Sequence, residues 1–345
     1  MDKWSGSGRW GSRWAGWKER AGRRSFADNR LAKALAARRD ALLIVGMAFL
    51  LGRAMILEEL SPFALAFLAV VSYLRKDLIY AAGAASLAGA LLAVHAQLAA
   101  IACGMALFLL IRKGLERFER ADIAAAPLIV MITAGSVRLF ALLLTDQMHW
   151  YPLMLAGIEA VLGFVLTLIF TQALPVLMMR RKKVRLRTEE VVCLIILLAS
   201  VMTGMVGWSV EGLSAAHIMS RYLILVFAVA GGALIGASVG VIAGLILSLA
   251  DITAIYQIGL LAFAGMLAGL MREAGRMGTA VGMLIGSTIL SLYIGEQSAI
   301  AASTWESAVA VLAFLLTPRA LIKWTAQYVP GTKEYDNLQQ DYARR

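Results

Sequence analysis

Cysteine, histidine and charge are all scarce in this sequence, and each scarcity closes off a class of chemistry. The only cysteines among 345 residues are Cys103 and Cys193, each inside an apolar block. That placement predicts buried, reduced thiols and excludes a disulfide framework. The three histidines, His95, His149 and His217, fall in predicted external loops. No HExxH or CxxC spacing accompanies them, so they read as solvated loop residues rather than a shared metal or pH-sensing site. No phosphate loop or GxSxG elbow is present, and the nine aspartates are scattered rather than grouped to hold paired divalent ions. The first ~30 residues hold no apolar core of the secretory-signal kind, so the first helix is expected to be retained.

What the sequence has instead is apolar length. Sixty per cent of residues are apolar against 16% charged, and the apolar ones come in long blocks. A hydrocarbon layer about 30 Å thick takes roughly 17 to 25 residues per helical crossing. Seven blocks approach that length: Ala41 to Leu57, Leu60 to Leu74, Leu78 to Val94, Leu98 to Ile111, Ile123 to Leu144, Leu153 to Met179 and Val191 to Trp208. A nearly unbroken stretch from Tyr222 to Met271 follows, interrupted at Asp251, and then Met277 to Ile294 and Ala301 to Leu316. The expected fold is all-α, a polytopic transmembrane helical bundle. Its domains are a basic, Trp-rich cytoplasmic segment (1–40), a membrane domain (41–317) and a cytoplasmic exit segment (318–345).

Lysine and arginine resist translocation and collect in short cytoplasmic loops. Thirty of the 33 here fall in residues 1–40, at Arg75 and Lys76, in 112–120, in 180–187, at Arg272 and Arg276, and in 319–345. Only Arg53, Arg138 and Arg221 lie elsewhere, the last read as sitting at a helix entrance. The opposite loops carry Glu58, Glu59, Asp146, Glu211, Asp251 and Glu296. Both termini are therefore expected in the cytoplasm, with an even number of crossings. The stretch from Tyr222 to Met271 must cross an odd number of times, which makes ten crossings in total if once and twelve if three times.

Glycine recurs every fourth residue at Gly232, Gly236, Gly240 and Gly244, again at Gly265 and Gly269, and again at Gly278, Gly282 and Gly286. Such spacing lets helix backbones touch, either within the chain or at a homo-oligomer seam. Arg138 and Glu159 lie at similar distances on either side of the external turn near Met148, so an antiparallel hairpin sets them at one depth. Ionised groups there pair or line a polar path. Arg53 is expected to snorkel or to meet Glu58 or Glu59. Trp150, Tyr151, Trp208, Tyr256, Tyr293 and Trp305 at outer ends, with Trp324 and Tyr328 past the last inner end, form an interfacial belt. Residues 1–40 carry eleven basic and four acidic residues together with Trp4, Trp10, Trp14 and Trp17. They suit anionic lipid better than nucleic acid because they sit beside a bilayer.

Phe49-Leu50-Leu51-Gly52-Arg53-Ala54, Pro62-Phe63-Ala64-Leu65, Gly231-Gly232-Ala233 through Gly244-Leu245-Ile246, and Tyr328-Val329-Pro330-Gly331-Thr332 carry a resemblance. With them the chain resembles the amino-terminal membrane region of the stage II sporulation protein E family. The resemblance implies a membrane region, usually described with ten crossings, followed by a cytosolic regulatory region and a PP2C-type serine/threonine phosphatase. It implies residence at the polar septum, association with the tubulin-like division protein, and activation of the first forespore sigma factor. No catalytic or metal-binding residue of that phosphatase maps onto a position here. The chain is thus expected to be a non-enzymatic anchoring and septum-localisation module without a cofactor, with manganese or magnesium belonging to the absent phosphatase domain. A small-solute transporter or substrate-binding membrane subunit is the alternative that the glycines, Arg138 and Glu159 suggest.

The charge asymmetry makes a topological prediction. Reporter fusions after Arg187 and after Arg276 should both read cytoplasmic, and a fusion after Met148 external; an external reading at Arg276 would contradict it.

Overall fold

The computed structural model describes residues 40–57, 59–93, 98–117, 123–145, 149–178, 188–250, 255–294, 297–318 and 322. The Trp-rich segment up to residue 39, Glu58, His95, Asp146, Met148, the basic run 180–187, Asp251, Glu296, Trp324, Tyr328 and most of the exit segment lie outside them. Residues Met1–Gly46 and Met47–Arg345 form two units. The packing below is that of the second.

Almost every described residue is helical. The helices are α1 (40–53), α2 (Pro62–Leu74), α3 (Ile79–Ala93), α4 (Leu98–Arg117), α5 (Ala126–Leu144), α6 (Trp150–Leu177), α7 (Thr188–Thr203), α8 (Ala215–Ala250), α9 (Gln257–Leu270), α10 (Gly275–Ile294) and α11 (Gln297–Leu316). Strands β1 (Ser209–Val210) and β2 (Leu213–Ser214) make one short antiparallel pair before α8. Six stretches are long and apolar enough to cross a membrane: Lys76–Ala93, Leu98–Glu116, Ile123–Leu144, Trp150–Leu177, Ala215–Ala250 and Gln257–Tyr293. Pro62–Leu74 and Ile300–Leu316 are shorter apolar helices.

Two of the long stretches are hairpins rather than rods. In α8, Gly232 adopts φ 80°, ψ −163°, a backbone region that only glycine enters at low cost. Beyond it the chain doubles back. A Cβ on Gly265 would lie 2.8 Å from Ile224 and also overlap the backbone of Gly236, although residues 224 and 236 would be about 18 Å apart in one straight helix. Likewise Met271–Ala274 form a tight turn ending at Gly275 (φ 74°), after which α10 runs back along α9. With α8 counted as 215–231 and 233–250, the described residues hold twelve helical segments.

Both ends of the sequence share one packing scheme. From Pro62 to Ser72 every residue of α2 is buried, because α3, α4, α5 and α6 all pack on it. The first limb of α8 is buried almost all round in the same way, and α8 as a whole packs against α7, α9, α10 and α11. A helix apolar on every side is a core helix. Outward-facing leucine, isoleucine and aromatic residues are abundant on the surrounding helices, as at Phe140, Leu144, Leu234, Leu292 and Leu312.

The glycines lie at helix crossings within the chain. A side chain at Gly236 would strike the backbone of Gly265, at Gly240 that of Leu261, and at Gly244 that of Ile258. Gly278 meets Met271, Gly282 meets Leu267 and Ala268, Gly286 meets Ala264, and Gly269 closes on Gly232. The helix α9 is thus clamped between two glycine faces. Gly52, Gly89 and Gly204 do the same for α1, against Ser86, Phe49 and Leu50. Such contacts replace the hydrophobic drive that helices lack inside lipid.

Candidate functional site

Polar chemistry inside the bundle is concentrated at two clusters, each centred on a glutamate. The first holds the pair singled out from the sequence. Arg138 on α5 and Glu159 on α6 face one another with Nε to Oε2 at 3.8 Å, and their side chains are 20% and 12% exposed. The backbone N–H of Ser61, just before α2, donates to Glu159 Oε1 (3.4 Å), and Arg138 Nη1 donates to the Glu59 carbonyl (3.2 Å). Glu159 Oε2 is buried and accepts no hydrogen bond from the described residues. A cavity of about 40 Å³ opens beside the pair, between α2, α4, α5 and α6.

The second cluster is tighter and escapes inspection of the sequence. Arg221 is not at a helix entrance. It lies in the second turn of α8 with its side chain fully buried, and Nη1 donates to Glu306 Oε2 of α11 at 2.9 Å. Nη2 donates to Ser303 Oγ (3.0 Å), which also accepts from Ser291 (2.9 Å). Glu306 Oε1 is 3.1 Å from His217 Nδ1 and accepts the Ser214 N–H at 3.1 Å. His217 therefore belongs to the first turn of α8 and not to a solvated loop. The legible signal was Glu306, a lone acid inside the apolar block Ala301 to Leu316, with Arg221 at the edge of the block that begins at Tyr222.

Arg53 departs from expectation too. Its Nε donates to Gly204 O (2.9 Å) and its Nη2 to Val206 O (3.2 Å), while its guanidinium sits 4.7 Å from the Trp208 ring. It thus caps the C-terminal end of α7, where unsatisfied carbonyls favour a cation. At the opposite ends of the helices other arginines do similar work. Arg272 donates to Ala230 O (3.5 Å), and Arg276 to the carbonyls of Phe314 and Thr317. Arg112 bonds Glu116 at 2.7 Å, as does Lys76 at 3.1 Å.

Both thiols are free, but Cys103 is exposed on the outer face of α4 and Cys193 is half-buried, 3.5 Å from Gln172 Oε1. Apolar surroundings in the sequence predict burial; on the rim of a bundle they face outward instead. Among the described residues no three His, Cys, Asp or Glu side chains converge to hold a metal ion. His95 lies outside them.

A profile for the SpoIIE N-terminal domain matches residues 7–326. The chain belongs to the SpoIIE N-terminal domain family. It is similar to stage II sporulation protein E of Bacillus subtilis strain 168, 42% identical over 303 residues, which is 87% of this chain and 36% of that protein. It is also similar to stage II sporulation protein E of Priestia megaterium, 40% identical over 108 residues, 31% of this chain and 18% of that protein. The chain spans about a third of the length of the Bacillus subtilis relative. No solved structure matches. Membership makes this the N-terminal domain of a sporulation protein with a membrane-type helical fold, and the matched region contains no phosphatase domain.

The two clusters predict different couplings in double-mutant cycles on detergent-solubilised protein. At Arg221–Glu306, bonded at 2.9 Å, each single change to leucine strands a buried charge, and the coupling should reach about 1–2 kcal/mol. At Arg138–Glu159 the 3.8 Å separation should leave a coupling of only about 0.5 kcal/mol. Equal couplings, or strict additivity at Arg221–Glu306, would contradict this reading.

Proposed function

We propose that this chain is the membrane-embedded anchoring and septum-localisation module of a sporulation phosphatase, crossing the bilayer twelve times with both ends in the cytoplasm. The observation that carries the reading is the family match over residues 7–326 on a bundle of apolar helices. The hairpin at Gly232 and the break between α8 and α9 support three passes for the stretch from Tyr222 to Met271, and with them twelve crossings. Arg272 bonding at Ala230 fits a shared inner end for the Gly232 turn and the α9–α10 turn.

In this reading the module works by embedding, not by chemistry. The basic residues of 1–40 hold the entry segment against anionic lipid, at roughly 1 kcal/mol per residue near the surface. Beyond the exit segment the cytosolic phosphatase of the family is presented at the septum, where it meets the tubulin-like division protein and activates the first forespore sigma factor. Its manganese or magnesium belongs to that domain. Glycine faces consumed within the chain argue that any homo-oligomer uses another surface.

The test is localisation in a sporulating host. A fluorescent protein fused after Arg345 should concentrate at the polar septum, and replacing residues 40–317 by an unrelated polytopic segment should spread it over the membrane. Septal enrichment that survives the replacement would refute the proposal.

A further inference from the structure

The two glutamate clusters correspond part by part. After α1 comes a turn with an antiparallel bridge, Ile56 to Leu60, and a non-glycine residue at positive φ, Leu57 (54°). After α7 comes a turn with an antiparallel pair, Ser209–Val210 to Leu213–Ser214, and again a non-glycine residue at positive φ, Glu211 (52°). Each turn feeds a helix buried nearly all round, α2 or the first limb of α8. The backbone N–H just before that helix, Ser61 or Ser214, is accepted by a glutamate 98 or 92 residues further on. That glutamate is the tenth residue of its helix in both cases, Glu159 in α6 and Glu306 in α11. Counted with the limbs of α8 separate, both helices are sixth in their half.

The correspondence shows what the first half is missing. Around Glu306 both carboxylate oxygens are engaged, Oε1 by Ser214 and His217 and Oε2 by Arg221. His217 and Arg221 lie three and seven residues after the anchoring serine. The same steps from Ser61 lead to Ala64 and Leu68, which carry no donor. Arg138 approaches from α5 instead and stops at 3.8 Å, too far for a hydrogen bond. The space left over is the cavity of about 40 Å³, bordered by Ala100, Gly104, Ala134 and Gly163, with room for roughly three waters or a molecule of about five heavy atoms.

We infer that the chain is two copies of one six-segment unit, and that the cavity at Glu159 and Arg138 is a binding site for a small zwitterion. It is the open counterpart of the sealed cluster at Glu306. The ammonium group supplies Glu159 Oε2 with the N–H donor that Arg221 supplies to Glu306, and the carboxylate of the same ligand faces the Arg138 guanidinium. Neither end alone suits the site: a bare cation meets Arg138 and a bare anion meets Glu159.

The test is thermal unfolding of the detergent-solubilised chain with glycine and with β-alanine at millimolar concentration, against methylammonium and acetate at matched ionic strength. At least one zwitterion should raise the midpoint of the wild-type chain by about 2 °C or more through preferential binding to the folded state, and neither single-charge probe should. The shift should vanish in Glu159→Gln. It should vanish too in Gly104→Val, which fills the cavity and leaves both charges in place. No shift with either zwitterion, an equal shift with methylammonium or acetate, or a shift retained in Gly104→Val would overturn the proposal.

Discussion

A carboxylate inside a helix bundle has to be met by donors, and the way two glutamates are met here organises both halves of the fold. Glu306 binds α11 to the start of α8 through the Ser214 N–H and to the second turn of α8 through Arg221. Glu159 binds α6 to the start of α2 through Ser61. The first N–H groups of a helix have no partner of their own, and a membrane setting offers no water to supply one. Each glutamate therefore fixes the buried end of the helix on which its half is packed. Breaking either contact exposes a charge and a helix terminus together.

Around those fixed helices the packing is set by small residues. On both faces α9 touches backbone, Gly236 and Gly240 on one side and Gly282 and Gly286 on the other. Close approach of this kind maximises dispersion contact where lipid and leucine are equally apolar. It also explains why the hairpin at Gly232 sits where it does. The turn needs a residue that tolerates φ 80°, and the limb after it needs glycines at Gly236, Gly240 and Gly244, so one glycine-rich run meets both demands.

The helices were largely readable from the sequence because a membrane-type bundle imposes a length on each apolar block and leaves charged residues between the blocks. All seven early blocks coincide with described helices to within a few residues. Arg138 and Glu159 stand 3.8 Å apart, and their spacing about the one turn between α5 and α6 makes that a local relation. Arg221 and Glu306 were not legible as a pair, because 85 residues separate them and no local periodicity links α8 to α11. The middle stretch stayed ambiguous for a related reason: a hairpin turn made by one glycine leaves no polar break in the hydropathy. For Arg53 the sequence offers snorkelling or the nearby Glu58 and Glu59, whereas its partners are carbonyls at the end of α7, groups that composition does not display.

The run from Ala215 to Ala250 turns back at Gly232, and two six-segment halves require that run to cross twice. Leu234 lies at that turn and is 80% exposed. With Cys103 and Cys193 replaced by serine, Leu234→Cys should react with a membrane-impermeant thiol reagent in inside-out vesicles and not in right-side-out ones. Labelling from the outside, or protection on both sides as expected for a residue deep in a single long helix, would contradict the account.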